Sequence, residues 1–286
     1  MGLNKEVLKK LNEVKKMLEI RVSLDGFEGH DKVRGKNSVL VRKNVELISH
    51  ITDLPVHINT MITKHNIWEL MKLYEWIKAH SEVISGWSSD LPIQRGRYSK
   101  TFIELQVNRE ELYRVLYKLV SRYLQDAPPF QLALFAIFRR GLINPHALKK
   151  IGLYTFSKDS HPCSYASSLV IRTDGFIGLC PSLPITFGNI RDHTLFEIIK
   201  NYKDYSDNCR KFTEIRIEHL KECSTCRFLK LCGGGCRAKA YLESGDLLGK
   251  DRLTCELMEF FESKILKLLP LESKALIERL IEMPNT

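Results

Sequence analysis

Cys223-Ser224-Thr225-Cys226-Arg227-Phe228-Leu229-Lys230-Leu231-Cys232-Gly233-Gly234-Gly235-Cys236 is the stretch on which the reading of this chain turns. Its four cysteines are spaced x2, x5 and x3. Working outward, eighteen residues separate Cys236 from Cys255, and upstream lies Cys163-x11-Gly175-x4-Cys180. Cys209 stands apart. All eight cysteines fall between 163 and 255, and the first 162 residues contain none. Chance burial of thiols as small hydrophobes does not produce that clustering. Disulfides require an oxidising compartment, for which no targeting segment argues. Metal binding is the reading that remains.

Stability points the same way. The stretch from 163 to 255 is rich in turns and glycines and has few strongly periodic apolar faces. Ordering backbone costs roughly 1–2 kcal/mol per residue, and a structural metal site returns on the order of 10 kcal/mol. Zinc accepts four thiolates, but its ribbons join two separated C-x2-C pairs. Here one pair runs on into x5-C-x3-C, a compressed run suited to a larger inorganic core. Spacing therefore favours iron–sulfur over zinc, and leaves zinc as the alternative.

The front of the chain has a different texture. Residues 5–19 predict an amphipathic helix capped by Asn4, and Ile20 to Leu24 a short strand turned by Asp25-Gly26. A helix over Ser38 to Ile51 and a strand over Val56 to Thr63 follow. Asn66 with Glu69 three residues on reads as a capping box, with Trp68, Met71, Leu73, Tyr74 and Ile77 on the buried side of its helix. A strand comes next around Val83 to Trp87. Helix and strand alternating this way predict a parallel α/β sheet or barrel segment that opens on a crossover helix, with an unprotected edge. Residues 98–155 read as mostly helical. The longest apolar run, Phe130 to Phe138, reaches only about 14 Å as a helix, too short for a bilayer. The expectation is a cytoplasmic protein with no membrane partner.

The formal net charge is +10, which raises the question of a nucleic-acid partner. Lys and Arg are scattered among Glu without a dense block. Seven metal-bound thiolates would also lower the charge, to about +7. A solvated surface is the better reading, and no nucleic-acid partner is expected.

The seven-cysteine set, with Gly188-Asn189-Ile190 after Cys180 and Arg237 after Cys236, resembles the SPASM domain of radical S-adenosylmethionine (SAM) enzymes. Ser23-Leu24-Asp25-Gly26, His30-Asp31, Arg34-Gly35, Asn59 and the element Pro92 to Arg97 resemble the rear strands and loops of the barrel in the same superfamily. The resemblance implies an α/β fold: the rear portion of a partial (β/α)6 radical SAM barrel followed by a small cysteine-rich α+β SPASM domain. Its divisions would be a partial barrel over 1–110, a helical bridge over 111–155, a SPASM domain over 156–258 and a helical tail over 259–286.

It also implies two auxiliary [4Fe-4S] clusters. Cys223, Cys226, Cys232 and Cys255 would hold one; Cys163, Cys180 and Cys236 would hold the other, whose fourth position falls to Cys209, His161 or an open site. Ser23 and Arg34 resemble positions that touch SAM in the family. Two departures limit what is implied. The SAM-cleaving CxxxCxxC and the Gly-Gly-Glu motif are absent from these residues, so no catalytic residue is assigned and the chain is expected to be catalytically incomplete as encoded. SAM is then a cofactor only if an N-terminal half or a partner chain supplies the rest. Pro181-Ser182 after Cys180 also lacks the Asp of the sulfatase-maturing branch. The expected partners are a peptide, protein or cofactor-precursor substrate and an electron donor. The alternatives are a subunit of a split enzyme and a non-catalytic iron–sulfur or zinc-binding module.

Overall fold

A computed structural model of the protein describes residues 5–13, 19–94, 101–135, 155–163, 169–201 and 207–283. The chain divides into two compact units, residues 1–153 with 262–273 and residues 154–261 with 274–286.

In the first unit, four strands form a parallel sheet in the order β1 (Ile20–Ser23), β2 (Val56–Met61), β3 (Ile84–Asp90), β4 (Gln131–Leu134). Helix α1 (Lys5–Glu13) precedes β1, and α2 (Glu28–Arg34), α3 (Ser38–Ile51), α4 (Leu70–Ala79), α5 (Phe102–Leu105) and α6 (Arg109–Asp126) lie between the strands in sequence. Parallel neighbours need crossovers, and here helices supply them. Along β2 the buried residues Val56, Ile58 and Thr60 alternate with half-exposed His57, Asn59 and Met61. One face of the sheet is therefore apolar and the other polar. Leu70, Leu73, Tyr74 and Ile77 of α4 and Leu112, Leu116, Leu119, Val120 and Tyr123 of α6 are buried. Asn108 caps α6 by accepting from the N–H groups of Glu110 and Glu111. Among the described residues no helix is long and apolar enough to cross a membrane.

Three local expectations are corrected. The run beginning at Phe130 is not helical: Gln131–Leu134 is a strand paired with β3, and the rest of the run, 136–138, lies outside the described residues. A short apolar run carries no periodicity that separates a buried strand from a helix. The capping box does not form. Asn66 makes no cap bond; its carboxamide accepts from Thr63 N–H and donates to the carbonyls of Asp25 and Met61. The Glu69 carboxylate instead accepts from the N–H groups of Phe27, Glu28 and Gly29 at 2.7, 2.9 and 3.1 Å. Trp68 is 56% exposed, so it is not part of the buried side. The first helix is seen over Lys5–Glu13, and residues 14–18 of the expected span, with Asn4, lie outside the described residues.

The second unit contains a two-stranded antiparallel hairpin, β5 (Val170–Ile171) and β6 (Ile177–Gly178). Short helices surround it in sequence: α7 (Leu195–Asn201), α8 (Asp207–Glu214), α9 (Leu229–Cys232), α10 (Arg237–Ser244), α11 (Arg252–Phe260) and, at the chain's end, α12 (Leu271–Glu282). This is a small α+β arrangement, dominated by turns in the region that carries the cysteines.

Candidate iron–sulfur centres

The hairpin turn at Gly175 (φ +87°) brings the chain back through β6 to Cys180. Asn189 braces that turn: its side-chain N–H donates to Asp174 C=O at 3.2 Å. The buried residues Ile177, Cys180, Leu183, Phe187, Cys209 and Phe212 form one cluster, and Cys163 and Cys236 pack against it. The three cysteines expected to share the first centre, and Cys209, thus all belong to or pack against one hydrophobic cluster. The Cys209 thiol is fully buried and donates to Thr186 C=O at 3.4 Å. His161 is committed to backbone: Nδ1 is 3.0 Å from Cys163 N–H, which donates to it, and Nε2 is 2.7 Å from Phe212 C=O.

The other four cysteines are Cys223, Cys226, Cys232 and Cys255. Cys232 ends α9, and the chain then passes through Gly233, Gly234 and Gly235 with φ of +60°, +82° and +79°. Three successive left-handed residues are strongly disfavoured for side chains other than glycine. They turn the backbone so that Cys236 begins the next helix only four residues later. A Cβ on Gly235 would also lie 2.8 Å from Asp251 Cβ, so the close approach of that residue requires glycine. Burial pushes the Cys232 thiol up to about 12, and the charges of Cys226, Cys223 and Cys255 add to it. Burial likewise takes Cys255 to about 11, assisted by Cys223 and Cys226. Cys223 is raised by burial and by Cys226. The four thiols therefore lie within electrostatic reach of one another. Among the described residues no three His, Cys, Asp or Glu side chains are gathered as a ready site for a single metal ion.

The donor chemistry fits an iron–sulfur core: soft thiols, each buried or half-buried. Backbone N–H groups already point at sulfur, Gly234 at Cys232 Sγ and Ser182 at Cys180 Sγ, both 3.4 Å. Asp251 fastens the loop. Its carboxylate accepts from Cys236 N–H at 2.8 Å and from Thr254 N–H and Oγ–H at 3.1 and 2.6 Å, capping α11, which carries Cys255.

In the first unit, Ser23, Asn59, Ser88 and Ala133 stand in one row across the four strands, near their carboxyl ends. Ligands of open parallel sheets bind outside that edge. Ser88 Oγ donates to Asn59 Oδ1 at 2.6 Å and lies 3.0 Å from His57 Nε2. Ser23 ends β1 exposed to solvent, and Arg34 pairs with the buried carboxylate of Asp25, two residues beyond it. Asp25 Oδ1 also accepts from Met61 N–H at 2.7 Å. The sequence reading missed Ser88, His57 and the anchoring by Asp25. The first two have no local signal, because only the strand register assembles them.

Residues 163–227 match the SPASM family, an iron–sulfur cluster-binding domain. Along 263 residues the chain is 28% identical to the AdoMet-dependent heme synthase of Methanosarcina barkeri, covering 87% of this chain and 70% of that protein. Among solved structures, anSMEcpe with bound AdoMet superposes with a TM-score of 0.64 at 18% identity, over 96% of this chain and 72% of the other. Streptococcus suis SuiB bound to the precursor peptide SuiA gives 0.55 at 16% identity, over 85% and 54%. At those identities the structures establish the fold alone: a mixed α/β arrangement with a parallel four-stranded sheet, shared with anSMEcpe and SuiB.

Proposed function

We propose that the protein is an iron–sulfur protein of the radical SAM/SPASM type that acts in the maturation of a peptide, a protein or a cofactor precursor. In this reading Cys223, Cys226, Cys232 and Cys255 hold one auxiliary [4Fe-4S] cluster. Cys163, Cys180 and Cys236 hold a second, with Cys209 as its fourth ligand. The observation that carries the reading is that four of the eight thiols lie within electrostatic reach of one another and the other four belong to or pack against one hydrophobic cluster. A bound auxiliary cluster supplies one-electron transfer. The protein's own residues hold the sulfurs, exclude water from them and direct N–H donors at them. His161 is kept from ligation by its backbone partners and serves to fix the Cys163 backbone.

The substrate class is supported from two sides: the sequence relative is a heme synthase, and SuiB is bound to a precursor peptide. These 286 residues contain no CxxxCxxC, so cleavage of SAM draws on a cluster held by a further segment or a partner chain, with an electron donor feeding it. Ser23 and Arg34, at the carboxyl edge of the sheet, are the SAM contacts we assign in that assembly.

Anaerobic reconstitution tests the ligand sets. The expected product is brown, with about eight irons and about eight sulfides per chain, as two four-iron clusters require. C223A and C255A each remove about half of that iron, and C163A and C180A the other half. A colourless chain loaded with zinc, or iron loss unaffected by which group is mutated, refutes the assignment.

A further inference from the structure

Arg237 is the first residue of α10, immediately after Cys236, and its side chain is fully buried. Its Nη groups donate to three neutral acceptors, the carbonyls of Leu247 at 2.9 Å, Gly249 at 2.8 Å and Gly234. Gly234 lies between Cys232 and Cys236, and the other two carbonyls lie on the approach to Cys255. The guanidinium is therefore locked by backbone on both sides of the cysteine loop. Among the described residues its Nε–H has no hydrogen-bond partner. Among the described residues no carboxylate forms an ion pair with it, and the neighbouring Asp251 spends its oxygens on Cys236 and Thr254.

Burying a full charge is costly unless it is paired, and an orphaned buried donor adds to that cost. Arginine does not escape by losing its proton. Burial works against the charge, whereas Cys223, Asp251, Cys236 and Cys232 favour it. Those cysteines belong to both groups. Thiolates ligated to a cluster would supply the negative charge that this guanidinium lacks.

We infer that Arg237 is the shared counter-charge of the two thiolate groups, and that its open Nε–H is a donor held for a sulfur of a bound cluster. The inference rests on the ligand sets proposed above. Positive charge beside a cluster stabilises its reduced form more than its oxidised form, so Arg237 raises both reduction potentials. A purely structural staple would hold the three carbonyls and leave the potentials alone.

The test uses reconstituted wild type, R237K and R237Q in electron paramagnetic resonance-monitored redox titrations. R237Q is expected to lower both midpoints enough to cut the reduced-to-oxidised ratio at a fixed potential at least tenfold, about 59 mV for a one-electron couple. R237K, which keeps the charge, should stay within threefold of wild type. Should R237Q fail to fold, the wild-type protein grown on 15N-arginine decides: pulsed resonance of the reduced clusters should show a 15N coupling that R237K lacks. Midpoints unchanged in R237Q, a shift at one cluster alone, or a loaded wild type without the coupling overturns the inference. Iron and sulfide content of the wild type is read separately, and a chain that takes up neither overturns the ligand sets and this inference together.

Discussion

Substituting Asp251 separates two jobs that one carboxylate performs. Asparagine keeps an oxygen for the Thr254 N–H and is as good an N-cap as aspartate. Its amide, however, presents a donor to the Cys236 N–H, which then loses its acceptor in a buried place. A hydrogen bond to a charged group contributes about 1.5–3 kcal/mol, so D251N should cost about 2 kcal/mol locally. D251A also removes the cap, about 1 kcal/mol more, and frees the Thr254 hydroxyl, for a total of about 3–4 kcal/mol. Since 1.4 kcal/mol is tenfold, D251N should raise the local opening constant about thirtyfold and D251A several-hundredfold. Native-state hydrogen exchange of the Cys236 and Thr254 amides in the cluster-loaded chain reads this locally, without assuming that two units unfold in one step. In D251N the Cys236 amide should lose most protection while Thr254 is largely spared. Equal loss at both amides, or D251A within threefold of wild type, would refute the division of labour.

Asp126 accepts from Lys78 at 2.7 Å, and also from Tyr74 and Arg122, which holds its carboxyl below the usual 3.8. Its folded form binds a proton less readily than its unfolded form, so its contribution is full above about pH 4 and is lost as pH falls through the folded value. D126N should be less stable at neutral pH and show a flatter acid limb in urea titrations from pH 7 to 3; parallel curves count against this. Burial lowers His57 below 6.5, so the unfolded chain takes the proton first and stability drops as pH falls below that value. H57Q should remove that slope in melting temperatures between pH 7.5 and 5. A Cβ on Gly86 would sit 2.4 Å from His57 Nδ1, so G86A should cost about 1–3 kcal/mol by overpacking. H57A placed in the same chain should restore much of it, and additive losses would sink the explanation.

What the sequence disclosed follows the range of the forces concerned. The expected helix over Ser38 to Ile51 matches α3 end for end, and Val56 to Met61 forms a strand, because their apolar periods are local properties. The clustering of all eight cysteines between 163 and 255 was legible because it is written in the sequence itself, and the match of residues 163–227 to an iron–sulfur cluster-binding domain agrees with the metal reading. The Asn66–Glu69 pair failed because a tertiary demand outbid a local one: three N–H groups at the start of α2 take the carboxylate that the box would need. Trp68 failed because the chain enters α4 through a 3-10 turn, which shifts the face a helical count assigns. The strand at 131–134 was hidden inside an apolar run without period. Arg237 entered the sequence reading only as the residue that follows Cys236, and its burial is invisible until the carbonyls of Leu247 and Gly249 are seen to accept from it.

In the second unit sulfur has two physical roles, and they pull in opposite directions. Cys180 and Cys209 are as buried as the isoleucines and phenylalanines around them, so they are part of the hydrophobic core. Ligation turns such groups into anions, which that same core penalises. The penalty is met by features that are otherwise costly: N–H groups aimed at sulfur, a glycine triplet held in left-handed backbone, and a buried guanidinium with one donor unspent. None of these improves an apolar core. Each becomes favourable once negative charge is introduced at the sulfurs, which is why their co-occurrence around two thiol groups argues for anionic cores more strongly than the burial of the cysteines alone.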